Sequence, residues 1–199
     1  LSKNCKVSSD VRGNLGPPGV VTNTSNSNWY EDRWQSASDM SGTPIPGGHW
    51  LVIDIGTSSK HSEHVGCIDD GKNNGDIVPA SSISKIVLDW EEAYSSKYSV
   101  EGCNIDARIG PSSGSGNNMC EKHCKTPSSW HKMSTHSRFK TKKRYKYHIV
   151  QEYIIPPPGS DVPVRTDSSS FRCIRLKMDK GGTRFGTSLW EIQIWGNRG

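Results

Sequence analysis

The sequence predicts an all-β fold, an antiparallel sandwich carrying long polar loops. Three observations point that way. Apolar residues alternate with a period of two at intervals along the chain, and no long stretch carries the helical 3.6-residue period. The 199 residues include 20 Gly and 11 Pro, which punctuate the chain too often for a helical bundle. Hydrophobic residues make up 32% of the chain, enough for a core built from one face of each strand.

The strands follow in order. Leu51, Ile53 and Ile55 alternate with Val52 and Asp54, and Gly56 ends that run. Ile86, Leu88 and Trp90 alternate with Lys85, Val87 and Asp89, and Tyr98 and Val100 alternate with Ser99 and Glu101. A run opening at Tyr145, Tyr147 and Ile149 continues to Ile155 before Pro156-Pro157-Pro158-Gly159 stops it. Ile174, Leu176 and Met178 form the next set. Trp190, Ile192 and Ile194 form the last, with all three expected on the core face. Each set places one face inward and one outward. Polar stretches at about 57–82, 104–129 and 156–169 read as loop insertions in one domain spanning 1–199.

Six cysteines, Cys5, Cys67, Cys103, Cys120, Cys124 and Cys173, are scattered through or beside these loops. An even count of this kind points to a disulfide framework and an oxidising compartment, secreted or at the cell surface. Asn23-Thr24-Ser25 matches the N-glycosylation sequon. Metal binding is the alternative for some of these thiols. His61, His64 and Cys67 form one candidate set, and Cys120, His123 and Cys124 with His131 or His136 form another. The second set lacks a clean second pair and lies in a basic segment that repels cations, so disulfides are the preferred reading. No run of 18 apolar residues occurs, so no transmembrane segment is expected. Opening at Leu1 without a leader suits a mature or excised fragment of a larger protein.

The net charge of +5 is concentrated in one place. Between Glu121 and Glu152 there is no acidic residue, while nine of the chain's 25 Lys and Arg lie there. The rest of the chain is net acidic. Within that segment Arg138, Lys140, Lys142, Lys143, Arg144 and Lys146 interleave with Phe139, Tyr145 and Tyr147. Such a basic patch fits a sulfated glycan, an anionic lipid surface or another anionic partner. It also fits a solvated loop or an edge strand whose lysines block strand pairing. Nucleic acid is disfavoured if the cysteines are oxidised.

Three common signatures of catalysis and nucleotide binding are missing. The chain has no H-E-x-x-H, no P-loop and no dinucleotide-binding glycine fingerprint. The Gly-rich stretch Gly110 to Gly116 is followed by no Lys-Ser/Thr and reads as a loop. Asp69-Asp70 and Glu91-Glu92 read as solvated loop charges. The expectation is a binding module, not an enzyme. Trp29-Tyr30-Glu31-Asp32-Arg33-Trp34 is the cluster best suited to a sugar: flat rings stack on the C–H face of a pyranose, and charged groups bind hydroxyls in pairs. Trp34, beside Gln35-Ser36, is expected in the core.

Taken together, several motifs resemble discoidin domains, the coagulation factor five/eight type C family, which includes many galactose-binding-like carbohydrate-binding modules. The ending carries the strongest part: Phe171-Arg172-Cys173-Ile174-Arg175-Leu176-Lys177-Met178, then Gly181 to Gly186 and Ser188-Leu189-Trp190-Glu191-Ile192-Gln193-Ile194-Trp195-Gly196. His49 to Gly56 resembles the family's Trp-x-x-Ile-Asp-Leu-Gly, and Ile86 to Tyr94 and Arg33-Trp34-Gln35-Ser36 follow the family order.

The resemblance implies an eight-stranded jelly roll whose loops at one end bind carbohydrate, with anionic lipid or protein partners as the family's alternatives. It implies a ligand site at the end bearing Gly181 to Ser188, drawn from Trp29, Tyr30, Arg33, His49, Arg184 and Phe185. It also implies a structural calcium with Asp32 and Glu191 as ligands, although Val20-Val21-Thr22-Asn23-Thr24 stands where the family's loop is acidic. Finally, it implies a disulfide between the chain ends, for which Cys5 and Cys173 are placed. Cys67 would then bridge to the Cys103, Cys120 and Cys124 group.

Overall fold

The alternating residues zip into two antiparallel sheets that share one core. The computed structural model describes residues 5–9, 17–36, 44–55, 81–105, 119–155 and 170–198. In chain order these residues form β1 (Lys6–Ser9), β2 (Trp34–Gln35), β3 (Pro44–Asp54), β4 (Ser81–Trp90), β5 (Ser95–Cys103), α1 (Met119–His123), β6 (His131–Thr135), β7 (Lys140–Tyr145), β8 (His148–Ile154), β9 (Ser170–Phe171), β10 (Cys173–Gly181) and β11 (Ser188–Arg198). One sheet is ordered β1-β3-β10-β5-β6 and the other β2-β11-β4-β8-β7, with β9 pairing β4. Eight of these strands have five residues or more, and β1, β2 and β9 are shorter.

The core comes from the alternating positions. Leu51, Ile53, Val100, Ile174, Leu176 and Met178 of the first sheet cluster with Ile86, Leu88, Trp90, Ile149, Leu189, Ile192 and Ile194 of the second. Each fully buried Leu or Ile contributes about 1.5–3 kcal/mol over its exposed state. Trp34 is fully buried in this cluster, as expected. A buried core amide, Gln151, is satisfied from both sheets. Its Oε1 accepts from Trp90 Nε1 at 3.0 Å and from Tyr98 Oη at 2.8 Å. A buried ion pair ties two neighbouring elements together. Arg172 donates from Nε and Nη2 to the two carboxylate oxygens of Asp54, at 3.1 and 3.2 Å, and both side chains are 1% exposed.

Several expectations are corrected. Trp190 does not join Ile192 and Ile194 on the core face. In the β11–β4 register Leu189 faces Trp90 and Glu191 faces Asp89, so Trp190 is the extra residue of a bulge. The run from Tyr145 to Ile155 is not one strand. A turn at Lys146-Tyr147, with Lys146 at φ 45°, folds it into the β7–β8 hairpin. Val52 is not solvent-facing. It joins Cys103, Cys120, Cys124 and Cys173 in a second apolar cluster, and α1 lies against β3. Residues 119–129 are therefore not simple loop: they hold α1 and a 3-10 turn at Pro127–Ser129. Ser81 and Ser82 belong to β4, while 57–80, 106–118 and 156–169 lie outside the described residues.

The cysteine pairing also differs from the one the resemblance implied. Cys173 bonds Cys120, not Cys5, and Cys103 bonds Cys124. None of Cys103, Cys120 or Cys124 is left to bridge Cys67. The same bonds consume the sulfur atoms of the Cys120, His123, Cys124 zinc alternative. Cys5 is disulfide-bonded as well. His61, His64 and Cys67 lie outside the described residues.

Candidate functional site, an aromatic cleft at one end of the sandwich

Strand register brings four connections to the same end. β4 finishes at Trp90, which pairs Leu189 near the start of β11 and Ile149 near the start of β8. The β4–β5 turn (91–94), the β7–β8 turn (146–147) and the β10–β11 loop (182–187) therefore lie together. β2 pairs Ser188 and Leu189, which adds the loop before Trp34. This is the end at which the resemblance places the ligand.

That preceding loop is organised by Asp32. Its Oδ2 accepts from Ser25 Oγ at 2.7 Å, Asn28 N at 2.8 Å and Ser27 N at 2.9 Å. The Ser25 hydroxyl and these backbone donors hold the carboxyl below its usual range. The tight turn presents Trp29 and Arg33 side by side. Arg33 is buried, and burial pulls its guanidinium below its ordinary value while Glu91 opposes the shift. Its Nε donates to Trp29 O and its Nη1 to Ser188 Oγ, both at 2.9 Å, and Nη1 lies 3.6 Å from Glu91 Oε2. Glu91 Oε2 also accepts from Ala93 N at 2.8 Å, which fixes the β4–β5 turn.

The β10–β11 loop is shaped by close approach. A Cβ on Gly182 would fall 2.7 Å from the Tyr94 ring, and Gly186 sits at φ 81°, where a side chain is strained. Thr183 bridges Gly186 and accepts from Phe185 N, leaving Phe185 54% exposed.

These elements enclose a cleft of about 440 Å³ lined by Trp29, Arg33, Gln35, Glu91, Glu92, Ala93, Tyr147, Thr183 and Phe185. Volumes of about 300–1,000 Å³ are typical of small-ligand sites. Trp29 meets Tyr147 and Trp190 edge-on, at centroid separations of 4.7 and 5.8 Å. Trp190, displaced from the core by its bulge, stacks on His148 and donates from Nε1 to Tyr147 O. The wall behind Trp29 is thus built by a residue that alternation would assign to the core.

Of the sequence-predicted ligand residues, Trp29, Arg33 and Phe185 line the cleft. Arg184 does not line it but flanks it, its guanidinium 5.0 Å from the Phe185 centroid. Tyr30 is 71% exposed beside Trp29 and outside the lining. His49 is buried in β3, opposite Met178 in register, and does not belong to the cleft. Sequence reasoning missed Gln35, Glu91, Glu92 and Tyr147. The Glu91-Glu92 pair was visible in the sequence, but only the turn between β4 and β5 aims it at this site.

The two carboxylates that the resemblance assigns to calcium occupy different surroundings. Asp32 spends one oxygen on its own loop. Glu191 lies opposite Asp89 on β11, and its carboxyl is raised by burial and by the Asp89 charge. Asp89 is itself raised by burial, against the lowering effect of its bond to His148. Among the described residues no group of three or more His, Cys, Asp or Glu side chains could hold a metal ion. Asp32 and Glu191 belong to no such group.

No protein-family model and no curated protein matches this chain. Solved structures do. A chitosan-binding module 2 in complex with chitotriose, from a Paenibacillus sp. IK-5 chitosanase/glucanase, is 18% identical, with 98% of each chain covered and a TM-score of 0.55. A chain of the Streptococcus pneumoniae beta-galactosidase BgaA is 15% identical, with 98% of this chain and 93% of that one covered and a TM-score of 0.58. The CBM32 of AlyQ in complex with 4,5-unsaturated mannuronic acid is 13% identical, with 98% of each chain covered and a TM-score of 0.52. The chain therefore has the all-β sandwich fold that these modules share.

Proposed function

We propose that this chain is a non-catalytic, discoidin-like carbohydrate-binding module that holds its glycan in the cleft between Trp29, Tyr147 and Phe185. One observation carries the reading: three aromatic rings line a cleft that also presents Arg33, Glu91, Glu92 and Gln35. Phe185 and Tyr147 stay 54% and 49% exposed, which costs hydrophobic burial unless a ligand covers them. Rings of this kind stack on the apolar face of a pyranose. Carboxylates, a guanidinium and an amide match the paired donors and acceptors of its hydroxyls.

The kinship with modules bound to chitotriose and to an unsaturated mannuronic acid supports the same reading. A non-catalytic role is supported by the cleft itself. Glu91 is occupied by Arg33 and by the Ala93 amide, which leaves Glu92 as the one uncommitted carboxylate in the lining. Secretion or display at a cell surface is supported by the disulfides. Among the described residues, no helix is long and apolar enough to cross a membrane. A glycan microarray tests the proposal. Selective binding to a set of related glycans, competed by the free sugar, is expected. Signals at background across the array contradict it.

A further inference from the structure

The basic segment lies on β7, the terminal strand of its sheet, and all six of its residues are exposed. Four of the six are Lys or Arg, and Arg138 and Lys146 extend the row at its two ends, both exposed. At about 3.4 Å per residue the strand alone presents roughly 20 Å of continuous positive charge. The register breaks between Thr141 and Lys143, so Lys142 sits in a bulge of the edge strand. Phe139, buried against Tyr98 and Tyr153, anchors the start of the strand.

Neutralisation within the protein is partial. Lys142 lies 3.5 Å from Glu152, and the charge of Lys143 lowers the Asp89 carboxyl. Among the described residues, Arg138, Lys140, Arg144 and Lys146 have no carboxylate within ion-pair distance. A lysine or two on an edge strand suffices to block pairing with another strand. Here six cations stand in one row, on a chain whose remainder is net acidic.

We propose that β7 is a second binding surface, a ridge for a linear sulfated polysaccharide. The charge lies along a line, which matches a linear polyanion better than a planar membrane. The ridge borders the cleft, since Tyr147 follows Lys146 directly, but it uses none of the cleft's side chains.

The test is binding of the intact chain to heparin, to desulfated heparin, and to vesicles of equimolar phosphatidylserine and phosphatidylcholine, each across a salt series. Heparin is expected to bind with affinity that falls steeply as salt rises, and desulfated heparin to bind weakly. Lys140→Glu with Arg144→Glu should weaken heparin binding about tenfold or more, a change of about 1.4 kcal/mol. Lys125→Glu, which lies off the ridge, should not. Lys140→Gln with Arg144→Gln gives an intermediate loss, and unchanged melting temperatures separate lost charge from lost fold. The same β7 variants should keep full affinity for any glycan held in the cleft. Heparin binding that survives both double variants overturns the proposal, as does absence of heparin binding at low salt. Vesicle binding with the same charge dependence but no heparin binding overturns it in favour of a membrane surface.

Discussion

The Arg33 guanidinium lies over the Trp29 indole, 4.0 Å from the ring centroid, while its Nη1 donates to Ser188 Oγ and approaches Glu91. One side chain thus joins the loop before β2, the start of β11 and the β4–β5 turn, which are three walls of the cleft. A buried cation held this way orients the ring and the carboxylate for a ligand at the same time.

Arg33→Ala is expected to destabilise the fold by about 3 kcal/mol, because Glu91 stays buried without its cation. Adding Glu91→Gln should recover part of that loss. Urea unfolding of both single variants and the double variant measures the coupling. Additive effects would show that the two side chains do not cooperate.

Arg172 and Asp54 are a sharper case, because both are 1% exposed and bound through two hydrogen bonds. Arg172→Ala should cost about 3–5 kcal/mol by removing the cation from a buried carboxylate. A loss below about 1 kcal/mol in chemical unfolding would contradict the buried pair.

Alkaline pH should weaken the fold through Tyr98. Burial pushes its phenol well above the ordinary value of 10.0, and the neighbouring Trp90 side chain opposes this only in part. The unfolded chain releases this proton near pH 10 and the folded chain does not. Stability is therefore whole below about pH 10 and falls as pH rises beyond it. Unfolding midpoints from pH 8 to about pH 11 should decline, and Tyr98→Phe should flatten the decline. Because that variant also removes the bond to Gln151, its midpoint at pH 8 should be lower. An equal alkaline decline in Tyr98→Phe would contradict the assignment.

The Cys120–Cys173 bond closes a separation of 53 residues and fastens α1 to β10. Loop-closure entropy gives such a cross-link about 4 kcal/mol. Cys120→Ser with Cys173→Ser should lower the unfolding free energy by an amount of that order. Peptide mapping of the unreduced protein should recover the Cys103–Cys124 peptide pair from this variant.

Legibility followed burial. β4 and β10 bury alternate residues, so Leu88 and Leu176 stand out, and Leu51 and Ile192 belong to the same alternating core set even though β3 and the start of β11 are buried on both faces. β7 is exposed throughout, and β1, β2 and β9 are too short to show a period. The β7–β8 turn was hidden because Lys146, neither Gly nor Asn, adopts its positive φ. Trp29, Arg33 and Phe185 were legible as chemistry suited to sugars. Glu91, Glu92 and Tyr147 reach the cleft only through strand register, and Trp190 comes to stand behind Trp29 only through a bulge, neither of which leaves a mark in the local sequence. The disulfides were legible in number but not in pairing, since α1, which carries Cys120 onto the β3–β10 face, sits in a stretch read as loop.

Titration calorimetry of the best array glycan against the intact chain, Phe185→Ala and Tyr147→Ala tests the cleft most directly. Both side chains are about half exposed, so both variants should keep their melting temperatures. Each is expected to bind about tenfold more weakly, as loss of a stacking ring implies. Wild-type affinity in both variants would contradict carbohydrate recognition by this cleft.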